Sequence, residues 1–283
     1  MKRVLITGAN SFLGDNTKKY LEEHGDYQVD ILDMLDANWG KKEFSKYDVV
    51  FNVCAIVHRP KVKDSEIYFD INRDLAVEIA LKSKKEGVRQ FIQTSTNGVF
   101  GIELGIMSED KGYNPKTPYE KSKYEADCLL TELRDDNFKI CIIRPPLMYG
   151  KSCKGNFPKL ERFALRHRFF PSLKNKKDFI YIENMADFIK FAIDNELDEV
   201  CYPRDNVVVS TSELIKRIAQ INGKKMHLLA VFNPFVKLLY KCNHSLKLIF
   251  GDCYYSGPVC SKEWHSPFSF EDALERMYKQ NLK

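Results

Sequence analysis

The chain lacks what a membrane protein, a disulfide framework or a metal centre would need. No apolar run reaches the roughly 20 residues that a transmembrane helix requires, so no integral membrane segment is expected. The first strand-like pattern begins almost at Met1, which leaves no room for a cleavable signal, and a cytoplasmic location is expected. The eight cysteines (Cys54, Cys128, Cys141, Cys153, Cys201, Cys242, Cys253 and Cys260) form no Cys-x-x-Cys pair, and the six histidines show no ligand rhythm. Reduced thiols and no metal are expected. There is no internal repeat and no low-complexity tract.

What is present is ordinary for a soluble globular protein: 44% hydrophobic and 29% charged residues in a chain long enough for one large domain or two lobes. The organising stretch runs from Val4 to Gly14 and continues into a helical pattern through Glu23. It reads as strand, tight turn and helix, with Gly8 making the turn and Gly14 letting helix lie against strand. Such a turn offers helix N-terminal N–H groups to a pyrophosphate. The usual third glycine is missing, and Ser11 stands in its place. Tyr27–Asp33 is a second strand pattern ending on an acid about 20 residues past the turn, where a carboxylate would bind ribose hydroxyls. Asp33 would repel a 2′-phosphate and no arginine follows it closely, so NAD is favoured over NADP.

Further strand patterns cover Asp48–Ala55, Arg89–Thr94 and Phe138–Ile143, alternating with helical patterns over 65–87 and 118–133. In the first of these helices Ile71, Leu75, Val77, Ile79, Ala80 and Leu81 supply the expected inward face, and Gly87 after three lysines marks its end. This alternation predicts an α/β fold, a doubly wound parallel sheet, over residues 1–150. Beyond Gly150 helices dominate (157–168, 183–195, 211–222, 233–249 and 270–280), with short strand candidates at 178–182 and 206–209. Residues 151–283 are therefore expected to form a smaller, mostly helical lobe, the chain being able to cross back between lobes.

Charge is divided unevenly. Residues 1–150 hold 22 basic and 24 acidic side chains, and residues 151–283 hold 22 against 15. Lys151–Lys177 alone contains nine basic residues and one acid, Glu161. That is either a solvated basic face, open to nucleic acid or anionic lipid, or a site for a small anion; charge alone does not choose. The stretch 226–250 is apolar and cationic. It reads as a helix packed on its own domain or, less commonly, as one lying on a membrane surface.

Two further segments carry chemistry. Thr117-Pro-Tyr-Glu-Lys-Ser-Lys123 opens a helix, with Pro118 in its first turn and Tyr119 and Lys123 on one face. A phenol of ordinary pKa about 10 is no base at neutral pH unaided. A nearby ammonium and an oxidised nicotinamide would favour the phenolate. Thr94-Ser-Thr-Asn-Gly98 follows the fourth strand pattern, placing hydroxyls at the sheet's C-terminal end, where open α/β sheets bind ligands.

With these segments together the chain resembles the extended short-chain dehydrogenase/reductases, in their NAD-dependent epimerase/dehydratase family. Thr7-Gly-Ala-Asn-Ser-Phe-Leu-Gly14 resembles the family's TGxxGxxG, and Asp48–Ala55 resembles its DVVxHxAA segment. Arg144-Pro-Pro-Leu-Met-Tyr-Gly150 resembles RPxxVYG, while Lys154-Gly-Asn-Phe157 and Phe179–Asn184 resemble KGN and VYVDN. The resemblance implies a Rossmann domain and NAD held by Gly8, Asn10, Ser11, Phe12, Leu13, Gly14, Asp33, Met34, Cys54, Ala55, Asn72, Ser95, Tyr119, Lys123 and Pro146. It implies Thr96, Tyr119 and Lys123 as catalytic residues, and Thr96, Asn97, Asn156 and Lys177 as contacts of a nucleotide sugar, UDP-linked by preference. It also places the basic stretch at the substrate's diphosphate rather than at nucleic acid. Lys177 is closest to the Arg that many relatives carry, and it lacks the bidentate fork; Arg162 or Arg166 would then share the diphosphate. A homodimer built on 118–133 is implied too.

The same resemblance divides the possible reactions. A 4,6-dehydratase needs an acid and a base after its threonine, and Asn97-Gly98 supplies neither. A 4-epimerase passing through a 4-keto sugar is favoured over a 4-keto reductase, and a non-catalytic cofactor-binding regulator stands last because Thr96, Tyr119 and Lys123 are all kept. The short segment between Phe100 and Pro118 is expected to leave the pocket open.

Overall fold

The computed structural model describes residues 1–57, 65–101, 105–236, 247 and 249–279. Most of the expected helix over 233–249, and Cys242, fall outside them.

A six-stranded sheet forms the centre, in the order β10-β6-β4-β3-β1-β2. Its strands are β1 (Lys2–Thr7), β2 (Tyr27–Leu32), β3 (Val49–Asn52), β4 (Gln90–Thr94), β6 (Lys139–Ile143) and β10 (Val200–Cys201), and every pairing is parallel. Side chains alternate across it. On β1, Val4 and Ile6 enter one apolar cluster while Leu5 enters the other; on β6, Cys141 and Ile143 part from Ile140 and Ile142 in the same way. Both faces are buried, which is why β1, β3 and β6 read as apolar runs over Val4–Ile6, Val49–Phe51 and Ile140–Ile143. The order reverses at β1, which has β2 on one side and β3 on the other. That is where open sheets of this kind take ligands.

The sheet recruits β10 from beyond residue 150. It pairs with β6 through Val200↔Ile142. Before it, α6 (Ile182–Asp194) packs on α1 (Phe12–His24), joined by a Tyr20–Asp187 hydrogen bond of 2.8 Å. The rest of the later chain comprises α5 (Phe157–Arg166), α7 (Thr211–Ile221), α8 (Phe270–Lys279) and small parallel pairs. In these pairs β7 (Leu147–Tyr149) joins β9 (Phe179–Tyr181), β8 (Phe169–Pro171) joins β11 (His227–Leu229), and β5 (Gly105–Met107) joins β12 (Cys253–Tyr255).

Two expectations are corrected. The helix over 65–87 is not uniform: α2 (Glu66–Phe69) and α3 (Leu75–Lys85) flank a π-helical turn, Asp70–Asp74. In α3 Ala76, Ile79, Ala80 and Ser83 form the buried face, and Leu81, about 200° round the helix from Ile79, is 48% exposed. The strand candidate at 206–209 is only an isolated bridge between Val209 and Lys177. In the described part of the Phe100–Pro118 segment, β5 is hydrogen-bonded to β12. Among the described residues, no helix is long and apolar enough to cross a membrane.

Candidate active site

The turn after β1 is built by backbone geometry. Gly8 has φ +111°, and a Cβ there would stand 3.0 Å from the Cys54 backbone nitrogen. Neither the angle nor the space admits a side chain. Asn10 takes φ 59°, a left-handed conformation that asparagine tolerates. Ser11 has an ordinary extended conformation, φ −83° and ψ 127°, so its backbone does not demand the absent glycine. Its hydroxyl instead caps α1, accepting from the Gly14 N–H at 3.3 Å. Gly14 lies against Ile6 and Val53, where a Cβ would stand 3.2 Å from each. Among the described residues, the Phe12 and Leu13 N–H groups at the helix start bond to nothing in the protein. They leave a terminus that fits an anionic group.

Asp33 lies just past β2, exposed, with one carboxylate oxygen accepting from the Leu35 N–H at 2.9 Å and the other without a hydrogen bond. Met34 is buried beneath it. Cys54 senses both the Asp33 carboxylate and the Lys123 ammonium, although burial is what chiefly raises its thiol pKa. Glycine turn, Asp33, Cys54 and Lys123 thus converge on one cleft at the sheet's switch point. Ala55 is half-buried on the same loop. Asn72, on the π-helical turn, accepts from the Ile56 N–H at 2.8 Å and donates to Ile56 O and Ser122 Oγ, both at 3.1 Å. Its amide braces this loop against α4 (Pro118–Glu132).

A reciprocal cap fixes the start of α4. Thr117 Oγ1 accepts from the Glu120 N–H at 3.2 Å, and Glu120 accepts from the Thr117 N–H at 3.0 Å. Gly98 makes room for that glutamate, since a Cβ there would stand 2.8 Å from Glu120 Cγ. The cap sets Tyr119 toward Thr96, whose hydroxyl favours the phenolate. Thr96 Oγ1 accepts from the Gly98 N–H at 3.1 Å. Burial outweighs the hydroxyl's effect and, with the charges of Asp127 and Glu120, pushes Tyr119 up to about 12.

Lys123 is 1% exposed, burial drives its pKa down to about 8, and the charges it senses are those of Asp127 and Cys54. The phenol therefore remains neutral at pH 7 without a further positive charge, for which a bound oxidised nicotinamide is suited.

Two residues of the site are absent from the sequence-based set. Asp127 continues the Tyr119–Lys123 row by one more turn and is 2% exposed. It accepts from Ser95 Oγ at 2.7 Å and Arg144 Nε at 3.0 Å, leaving its other oxygen buried without a partner. Arg144, 3% exposed, lies over the Tyr113 ring at 4.5 Å and the Phe100 ring at 5.9 Å. The i+8 spacing from Tyr119 was the available signal for Asp127; its pairing with Arg144 had none. Ser95 is thus tied to Asp127. Pro146 is buried, and the Asn97 N–H donates to Pro145 O at 3.3 Å.

The substrate set is only partly assembled. Asn97 donates to Cys253 Sγ at 3.7 Å, and Lys177 forms a backbone bridge to Cys253, so both meet beside Thr96. Asn156 is exposed at the start of α5, where it accepts from Lys159, and no bond joins it to that group. Arg166 lines a different groove with Arg168, Lys224 and Lys225. Among the described residues, one set of possible metal ligands, Glu199, Cys201 and Cys260, lies within 4.8 Å. Its glutamate already accepts from the Ser261 N–H at 2.8 Å, and hydrogen bonds to Cys141 and Cys201 raise the pKa values of Cys201 and Cys260, against the thiolate a metal requires.

Residues 4–202 match the NAD dependent epimerase/dehydratase family, and the chain belongs to it. A UDP-glucose 4-epimerase of Vibrio cholerae is 28% identical over 77% of this chain and 75% of its own length. An N-acetyl-alpha-D-glucosaminyl-diphospho-ditrans,octacis-undecaprenol 4-epimerase of Escherichia coli O157:H7 is 25% identical over 95% of this chain and 87% of its own. The fold is also that of dTDP-4-dehydrorhamnose reductase from Bacillus anthracis, solved with NADP: TM-score 0.75, 20% identity, covering 99% of this chain and 100% of that one. Sugar epimerases and reductases both stand among its relatives.

Proposed function

We propose that this protein is an NAD-dependent 4-epimerase of UDP-linked hexoses or N-acetylhexosamines, supplying sugars for surface polysaccharide. The observation that carries the reading is that Thr96, a half-buried Tyr119 and a buried Lys123 meet beside the glycine turn and Cys54. Gly8, the start of α1 and Asp33 fit the pyrophosphate and adenosine ribose of NAD, which when bound supplies reversible hydride storage for sugar C4. Tyr119 takes the proton of the 4-hydroxyl and later returns it, while Thr96 holds the sugar oxygen and relays that proton. Asp127 keeps Ser95 and Arg144 in place. Lys177 and Asn97 hold the diphosphate side of the substrate, and the exposed Cys128–Leu129 face of α4 is the proposed homodimer contact.

Dehydration is disfavoured on two grounds. Asn97-Gly98 offers no acid, and a side chain at 98 would collide with the Glu120 cap. The test is to incubate purified protein with UDP-glucose, UDP-N-acetylglucosamine and a UDP-4-keto-6-deoxy sugar. Conversion of the first two to their galacto forms with no net NADH change is expected. Stoichiometric NADH oxidation on the keto sugar alone would make this a 4-keto reductase, and retention of a biological effect in Tyr119→Phe would make it a regulator.

A further inference from the structure

Beside the β8–β11 pair the surface is apolar and cationic at once. The run 230–235 holds Val231 at 66% exposure, Phe232 at 39% and Phe235 at 65%, and Phe169 on β8 is 55% exposed. These residues belong to one structural unit. Phe169 is in register with His227, their rings 5.7 Å apart, and the Asn233 amide donates to Ser172 O at 2.8 Å. An adjoining groove is lined by Arg166, His167, Arg168, Lys224, Lys225 and His227. It contains no carboxylate, and among the described residues none of its arginines and lysines is ion-paired.

Water-exposed apolar side chains beside cations that no carboxylate faces match one occupant in both respects. Apolar side chains insert at the headgroup boundary of a bilayer while lysine and arginine stay with lipid phosphates. We propose that this face docks on an anionic membrane surface, with Val231, Phe232 and Phe235 inserted and the groove on the headgroups. A nucleic acid would leave the apolar ledge uncovered, and a second copy would bring like charges together. The proposal does not depend on which sugar is turned over.

The full-length protein is sedimented with phosphatidylglycerol–phosphatidylcholine vesicles and with pure phosphatidylcholine vesicles, at low and high salt. Binding to the anionic vesicles only, weakened by salt, is expected. Lys224→Glu with Lys225→Glu should weaken it by about tenfold or more. Val231→Asp with Phe235→Asp should do the same, and Val231→Ser with Phe235→Ser should reproduce the loss without added charge. Circular dichroism and the thermal midpoint confirm folding of each variant. Absence of binding, binding that neither pair reduces, or self-association abolished by Val231→Asp with Phe235→Asp would each overturn the proposal. So would inhibition by inorganic phosphate but not by chloride of equal ionic strength, which would give the groove to free anions.

Discussion

Replacing Lys123 with methionine should remove activity and stabilise the protein. The lysine is 1% exposed, and burial lowers its pKa from 10.5 to about 8. Below pH 8 the folded chain holds a charged ammonium that the unfolded chain solvates better, so the full deficit is present there. It disappears between pH 8 and 10.5, where the folded lysine is neutral and the unfolded one is still losing its proton. At about 1.4 kcal/mol per pH unit the deficit is about 3 kcal/mol at pH 7. Methionine matches the buried stem and carries no charge, but its introduction also deprives Asp127 of a neighbouring cation. A net gain of about 1–3 kcal/mol remains, equal to roughly 2–10 °C in thermal midpoint for a chain of this size. Thermal unfolding of both proteins from pH 7 to 10 reads it. A variant that melts below its parent at pH 7, or a difference that does not shrink above pH 8, would refute the reasoning.

Three other substitutions separate binding, chemistry and scaffold. Tyr119→Phe keeps the ring and loses the proton carrier, so turnover should fall by about 10²–10⁴-fold while NAD affinity, measured by fluorescence titration, stays. Asp127→Ala strands the buried Arg144 charge, with an expected cost of about 3–5 kcal/mol in urea unfolding; a loss under 1 kcal/mol on the order of a surface change would show that Phe100 and Tyr113 suffice to hold the guanidinium. Asp33→Asn should weaken NAD by about ten- to a hundredfold in calorimetry and narrow its advantage over NADP.

The sheet was legible because parallel strands buried on both faces are largely apolar, as Val4–Ile6, Val49–Phe51 and Ile140–Ile143 are, while β4 keeps Phe91 and Ile92 between buried glutamines. Helix ends carried local chemistry: Thr117, Pro118 and Glu120 make a cap from neighbouring residues alone. Leu81 was misread because three consecutive apolar residues cannot share one α-helical face: with Ile79 and Ala80 inward, Leu81 turns outward. The strand at 206–209 failed for another reason. Strand-forming residues need a partner edge, and Val209 has only the single bridge to Lys177.

The candidate site shows where spacing stops being informative. An i, i+4 pair states that Tyr119 and Lys123 share a helix face, but not which neighbours each will sense. That depends on depth in the cleft. Tyr119, half-buried, senses Thr96 just past β4 and the charges of Asp127 and Glu120; Lys123, one turn on, is buried and senses Asp127 from its own helix and Cys54 just past β3. Asp127 in turn is fixed by Arg144, which arrives from the end of β6. The protonation states at the heart of the site are therefore set by three strand ends meeting one helix. A helix pattern alone yields the candidates, and the order in which the sheet brings those strand ends together assigns each its electrostatic surroundings.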